Sequence, residues 1–261
     1  MCKPRIQGGY RSPNYHRLRK LTTADLVDQE DHNAPTVTWQ QTDLKQFWSK
    51  EAEYHADQCA AILKLESIKP HVPSITRDIQ QIAAQVDGKC VNLRERLKSP
   101  HSIAQDISAA RDEAAKHGLK ISAAEVTENL NDIVRYSIVC GDHDDLTDAV
   151  AEMMAGLQSK GWKVHKISGF HTDNSSAKRL KITCETSSQV RVALQVHSTV
   201  MFRAANNLKD IEEIYKDRDA RLEDRKVARE ICLEHFQHIP APSGLDSISA
   251  TGRKDAQRIP F

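Results

Sequence analysis

Near residue 130 the spacing of apolar side chains changes from a helical repeat to strand alternation, and few folds accommodate that change in this order. Before it, Leu44, Phe47, Trp48, His55, Cys59, Ile62 and Leu63 recur at helical spacing. Ile75, Ile79, Ile82 and Val86 do so again after the break "KPHVPS", where Ser74 is placed to cap. A third helix is marked at both ends. Ser99 serves as N-cap, Pro100 takes the first helical position, Ile103, Ile107 and Ala110 share a face, and Gly118 stands where a left-handed C-terminal cap belongs.

Beyond the change, "DIVRYSIVC" is a short β-branched run. A helix carrying Leu146, Val150, Met153 and Leu157 follows and ends at Gly161, and then comes the strand "WKVHKIS". "RLKITCET", a turn at "SSQ" and "VRVALQVHS" predict a hairpin. Leu180, Ile182 and Cys184 lie on one face of its first strand, and Val190, Val192, Leu194 and Val196 on one face of its second. The opposite face of that second strand carries Arg191, Ala193, Gln195 and His197, a row that meets solvent or lines a cleft. Residues 200–237 are again helical, with charge pairs such as Glu212 and Lys216 at i,i+4. The fold class is α+β: a mixed β-sheet of about four to five strands flanked by N- and C-terminal helices. Residues 1–40 read as a flexible basic arm, 41–238 as the folded domain and 239–261 as a tail.

Charge does little to narrow the function at the level of the whole chain. Lys plus Arg number 37 and Asp plus Glu 36, so no global field draws nucleic acid or anionic lipid, and an anion site has to be a local cluster. Six cysteines without a CxxC spacing suit buried thiols in a reducing compartment rather than a disulfide framework. No apolar run is long enough to span a membrane, and the basic N-terminus lacks the apolar segment of a secretion signal. The expected location is the cytoplasm, or a target cell reached without a conventional signal peptide. Neither the histidines nor the cysteines fall at zinc-ligand spacing, and the P-loop, GxGxxG and GxSxG signatures are absent.

Two places can carry anion or metal chemistry. "RERLKSPHS" sets Arg96 and Lys98 ahead of a helix start with hydroxyls at Ser99 and Ser102. This is either a phosphate cradle built on a helix N-terminus or solvated basic residues beside an ordinary serine cap. Asp132 precedes the strand that contains Arg135, and is either an oxygen ligand for magnesium or a turn residue.

Taken in order, "RLKSPHSI" at 96–103, "NDIVRYSIV" at 131–139, "ALQVHS" at 193–198 and "IYKDR" at 214–218 resemble the synthetase domain of the RelA/SpoT-like family. These are pyrophosphokinases of nucleotidyltransferase fold that include alarmone synthetases and toxin domains. The resemblance covers roughly residues 42–237. It implies transfer of the β,γ-pyrophosphate of ATP, with magnesium, to the 3′-hydroxyl of an acceptor nucleotide or tRNA. Under it, Arg96, Lys98, Ser99 and Ser102 cradle the donor phosphates and Arg135 contacts the donor. Lys178, Arg191 and His197 also contact nucleotide, Asp132 holds the metal, and Asp132 and Gln195 are the catalytic pair. For a toxin or effector it further implies a neutralising immunity or antitoxin protein, and no membrane partner.

Three departures stand against an intact site. The family's glutamate falls at Ala193, its base-stacking tyrosine at Ala177, and its helix lysine at Asp106. Losing one charge-stabilising group of this kind costs about 10² to 10³ in rate. Two accounts of Ala193 stay open: a substitution that silences a toxic activity, or a naturally degenerate chain that binds nucleotide or a protein partner without this chemistry. In the second case the chain is a non-catalytic module on the same scaffold.

Overall fold

The computed structural model describes residues 15–27, 34–39, 47–48, 54–169, 180–217 and 220–244. The chain divides into two compact units, one from the described parts of 1–76 with 93–134, the other from 77–92 with 135 onward.

The first unit is helical. Helices α1 (His55–Ile68), α3 (Pro100–Lys116) and α4 (Ala123–Asn129) pack on one another, and α2 (Val72–Gln85) begins in this unit and continues into the second. The shared core is Cys59, Ile62 and Leu65 of α1 with Ile103 and Ile107 of α3 and Val126 of α4, all buried. The ends of α3 are those the sequence predicts: Ser99 Oγ accepts the Ser102 N–H, Pro100 opens the helix, and Gly118 has φ of 74°. Only glycine takes that left-handed conformation without steric cost.

Other boundaries differ. Of the helical stretch expected from Leu44, the described part is Phe47, which is helical, and α1 from His55, while positions 40–46 and 49–53 lie outside the described residues. Ser74 does not cap α2. A 3₁₀ turn at Lys69–His71 leads straight into the helix, and the Ser74 hydroxyl donates to the His71 carbonyl from inside the first turn. Helix α4 was not expected at all.

The N-terminal segment also departs from expectation. Its described parts, 15–27 and 34–39, are packed rather than free: one-turn helices at Tyr15–Leu18 and Thr23–Leu26 lie against α1, with Leu18 and Leu26 buried. Tyr15 stacks on His55 with ring centroids 4.5 Å apart, and Arg17 forms a two-pronged pair with Glu66 at 2.7 and 2.8 Å. The physical reason lies in α1, which buries residues on more than one face and needs a cover on the side away from α3.

The second unit holds a mixed five-stranded sheet in the order β1-β2-β5-β4-β3: β1 (Lys89–Val91), β2 (Val134–Cys140), β3 (Lys163–Gly169), β4 (Leu180–Glu185) and β5 (Arg191–Ser198). The β1–β2, β3–β4 and β4–β5 pairings are antiparallel, and the hairpin register sets Ile182 opposite Leu194 and Thr183 opposite Ala193. Strand β1 had not been expected. Alternation holds through β2, where Val134, Tyr136, Ile138 and Cys140 are buried and the residues between them half-buried. Helix α5 (Leu146–Ser159) contributes Leu146, Val150, Met153 and Leu157 to this core, all buried, and packs on β3 and β5. Gly156 lets α2 come close: a Cβ there would sit 3.3 Å from an Ile82 methylene and 3.0 Å from the Gln85 amide oxygen.

The helical stretch after β5 is three helices, α6 (Thr199–Asn207), α7 (Lys209–Lys216) and α8 (Leu222–Gln237), with Phe236 of α8 fully buried. Residues 239–244, expected as tail, are tied down. His143 Nε2 lies 2.8 Å from the Pro240 carbonyl, the Thr147 hydroxyl donates to the Ser243 carbonyl, and Ile239 is buried. Among the described residues no helix is long and apolar enough to cross a membrane.

Candidate functional site

The approach to α3 is held by backbone pairing. Leu97 forms an antiparallel bridge with Val134, and the Lys98 N–H donates to the Ile133 carbonyl at 2.9 Å. Segment 97–98 therefore runs beside 133–134, which brings the side chain of Lys98 to that of Asp132. The Lys98 ammonium lies 3.3 and 3.4 Å from the two Asp132 oxygens and donates a further, very close hydrogen bond to Asp106. Its side chain is 12% exposed, against 38% for Asp106 and 34% for Asp132. One cation between two half-exposed carboxylates leaves the cluster with a formal charge of about −1.

The start of α3 is largely self-satisfied. Pro100 brings no N–H, the Ser102 N–H is taken by Ser99 Oγ, and the Ser99 hydroxyl donates to Ser102 Oγ at 3.0 Å. A phosphate arriving here has to displace those bonds. Lys98, Ser99, Ser102 and Asp132 are thus brought together as expected, with Asp106 as an unexpected fifth member. Its signal was present in the sequence, since 99, 102 and 106 stand at i, i+3 and i+7, one face of a helix.

Arg96 corrects the expectation of a phosphate contact. It is 1% exposed, and its Nη1 donates to the Pro35 carbonyl at 2.6 Å and the Leu93 carbonyl at 2.8 Å. Residues 35–39 run along this turn, with the Thr38 N–H on the Arg94 carbonyl and the Trp39 indole on the Leu97 carbonyl, each at 2.9 Å. Arg96 is a brace that joins two loops, and its charge is used on carbonyl oxygens.

The remaining candidates sit in the second unit. Arg135 is half-buried on β2. On β5, Arg191 lies 3.7 Å from Glu185, its register partner, and Gln195 stands opposite Lys181. The row expected to meet solvent or a cleft is closed at two places: Ala193 is fully buried and His197 is 4% exposed, its ring edge-on to Phe202 with centroids 5.9 Å apart. Lys178 and Ala177 lie outside the described residues.

One feature had no sequence signal. Asp57 of α1, 3% exposed at its side chain, pairs with Arg111 of α3 at the wall of a cavity of about 460 Å³ lined also by Tyr54, Ser108 and Lys120. Burial pushes the Asp57 carboxyl above the usual carboxylate range, and the Arg111 guanidinium opposes that shift.

Beside Lys98 two side chains could offer oxygen to magnesium, Asp132 and Asp106. A hard cation on Asp132 would depend on nucleotide oxygens and water for most of its ligands, which a triphosphate can supply.

No protein-family model matches the chain, and no curated protein matches it. Among solved structures it is similar to small alarmone synthetase 1 from Bacillus subtilis bound to its product pppGpp, at 15% identity over 65% of this chain and 89% of that one, with a TM-score of 0.40. It is similar to a GTP pyrophosphokinase family protein from Streptococcus pneumoniae at 14% identity over 72% and 95%, with a TM-score of 0.42. It is also similar to the Type VI effector Tas1, solved in complex with its immunity protein, at 14% identity over 72% and 97%, with a TM-score of 0.38.

Proposed function

We propose that the chain is a RelA/SpoT-like synthetase domain that binds the triphosphate of ATP at the start of α3 and transfers its β,γ-pyrophosphate to the 3′-hydroxyl of a nucleotide or tRNA. The observation that supports this reading is the meeting of Lys98 with Asp132 beside the Ser99 and Ser102 hydroxyls. The motif order in the sequence calls for that juxtaposition, and nothing about a generic helix cap requires it. In the reaction the acceptor oxygen attacks the β-phosphorus, the bond to the α,β-bridging oxygen breaks, AMP departs, and the hydroxyl proton is released. Such a transfer is catalysed mainly by positioning and charge neutralisation. Lys98 supplies a cation for the phosphate oxygens and Asp132 a carboxylate for magnesium, which would neutralise charge on the donor when bound. The roles that the resemblance gives to Arg135, Lys178, Arg191, Gln195 and His197 belong to the same proposal. So does a toxin or effector setting, with action in a cytoplasm and a neutralising immunity or antitoxin protein.

A second reading, a non-catalytic nucleotide-binding module, is favoured by Ala193, which leaves Asp132 without the family's second carboxylate. The test is incubation of γ-labelled ATP and magnesium with guanine nucleotides, adenine nucleotides or tRNA, using the parent protein and the Ala193→Glu variant. Labelled acceptor with AMP release in the variant is the expected result. Retained ATP binding with no label in either protein selects the second reading, and no binding of ATP by either protein overturns both.

A further inference from the structure

We propose that Asp106 is a latch on Lys98: it holds the ammonium in an internally paired state, and nucleotide phosphate binds only by taking Lys98 from it. The inference rests on the nucleotide-binding reading above and adds a residue that sets the affinity of that site.

An ammonium has three N–H donors and no acceptor. Lys98 directs its hydrogen bonds at Asp106 and Asp132, and at 12% exposure it has little water to turn to. The two contacts to Asp132, at 3.3 and 3.4 Å, are longer than the one to Asp106, so a phosphate oxygen that approaches the ammonium closely competes first with Asp106. Asp106 is the closer of the two and also the more exposed, at 38% against 34%, so it can be rehydrated when it lets go. Asp132 is reached through the backbone pairing of 97–98 with 133–134 and stays beside Lys98 whatever Asp106 does. The neighbouring hydroxyls add to the closed state, because Ser99 and Ser102 are bonded to each other rather than directed outward.

A ligand that needs the released form of Lys98 is bound with an apparent affinity reduced by the fraction of molecules in that form. Neutralising the latch raises that fraction. The loss of a carboxylate would also raise anion affinity through space, and a double-mutant cycle separates the two effects.

The experiment is a calorimetric titration of a non-hydrolysable ATP analogue with magnesium into four proteins: the parent, Asp106→Asn, Lys98→Ala, and the double variant. Asp78→Asn serves as a charge control, since Asp78 pairs with Lys160 at 2.7 Å and removes the same charge. Thermal melts establish that each variant is folded. We expect Asp106→Asn to bind about fivefold more tightly than the parent, consistent with freeing one partly exposed ion pair. The same change in the Lys98→Ala background should alter affinity by no more than about twofold, and Asp78→Asn likewise. Equal tightening in both backgrounds, or none in either, overturns the latch while leaving nucleotide binding intact. Absence of binding in all of the folded proteins overturns the nucleotide reading itself, and the latch with it.

Discussion

Lys98 Nζ lies 3.3 Å from Asp132 Oδ2 although 34 positions separate the two residues in the chain. The pairing of 97–98 with 133–134 creates that proximity, and it distinguishes Lys98 from its neighbour Arg96, which faces inward. The two cations should therefore fail in different ways. Lys98→Ala should weaken binding of the ATP analogue by about tenfold or more and cost less stability than Arg96→Ala, because the two carboxylates it leaves unpaired are partly exposed to water. Arg96→Ala should remove charge-assisted bonds to the Pro35 and Leu93 carbonyls and cost about 3 kcal/mol of stability. Calorimetry and chemical denaturation on the same two variants check both outcomes.

Arg111→Ala should leave Asp57 buried without its guanidinium partner. Because Arg111 is itself 37% exposed, the expected cost is about 2 kcal/mol rather than the full penalty of a buried pair. The pH dependence has a definite sign. The folded-state pKa of Asp57 is raised by desolvation, so its contribution is favourable at low pH and is lost as pH rises through that raised value. The deficit of the variant should shrink as denaturation curves are taken at successively lower pH.

Glu125 should behave in the opposite way. The Ser122 backbone N–H and then its hydroxyl hold the Glu125 carboxyl below the usual range in a capping box at the start of α4. That stability is present above the unfolded-state pKa and is lost as pH falls through the lowered folded value. Glu125→Gln should be less stable than the parent at neutral pH and indistinguishable from it in strong acid. Ser122→Ala, which removes the cap itself, should cost about 1 kcal/mol at neutral pH.

His143→Ala should loosen the chain after α8. The ring joins Ser198 through Nδ1 at 2.9 Å and the Pro240 carbonyl through Nε2 at 2.8 Å, so its removal breaks the tie between the end of β5 and residues 239–244. Hydrogen exchange should accelerate at the amides of 239–244 by about tenfold, while the amides of β5 keep their protection.

The parts of the fold legible in the sequence were those with a local cause. Alternation gave β2 and the β4–β5 hairpin, the i, i+3, i+4 pattern gave α5, and a serine–proline start with a glycine stop gave both ends of α3. The Ser122–Glu125 capping box was equally local, and α4 was missed for want of a long apolar run after it. Strand β1 has three residues, too few for any period. The burial of Tyr15, Leu18 and Leu26 depends on the second face of α1, a matter of tertiary packing that widely spaced apolar residues do not announce. At the site, the order of motifs assigned Lys98 to phosphate and Asp132 to metal in one pocket, and the direct contact between the two side chains was not foreseen. Arg96 was misread because a cation before a helix looks the same whether its partners are phosphates or the carbonyls of another loop. Asp106 registered only as a missing lysine, since whether it reaches Lys98 depends on rotamers across two helical turns.

The two holds on Lys98 answer to different kinds of genetic change. Asp106 is reached along the helix axis, so inserting a single residue between 99 and 105 would swing it through about 100° and carry it off the ammonium. Asp132 is reached from an adjoining extended segment and is indifferent to helical phase. A lineage could thus retune one grip by altering spacing and the other by point substitution, and pass between closed and receptive forms without rebuilding the surrounding architecture.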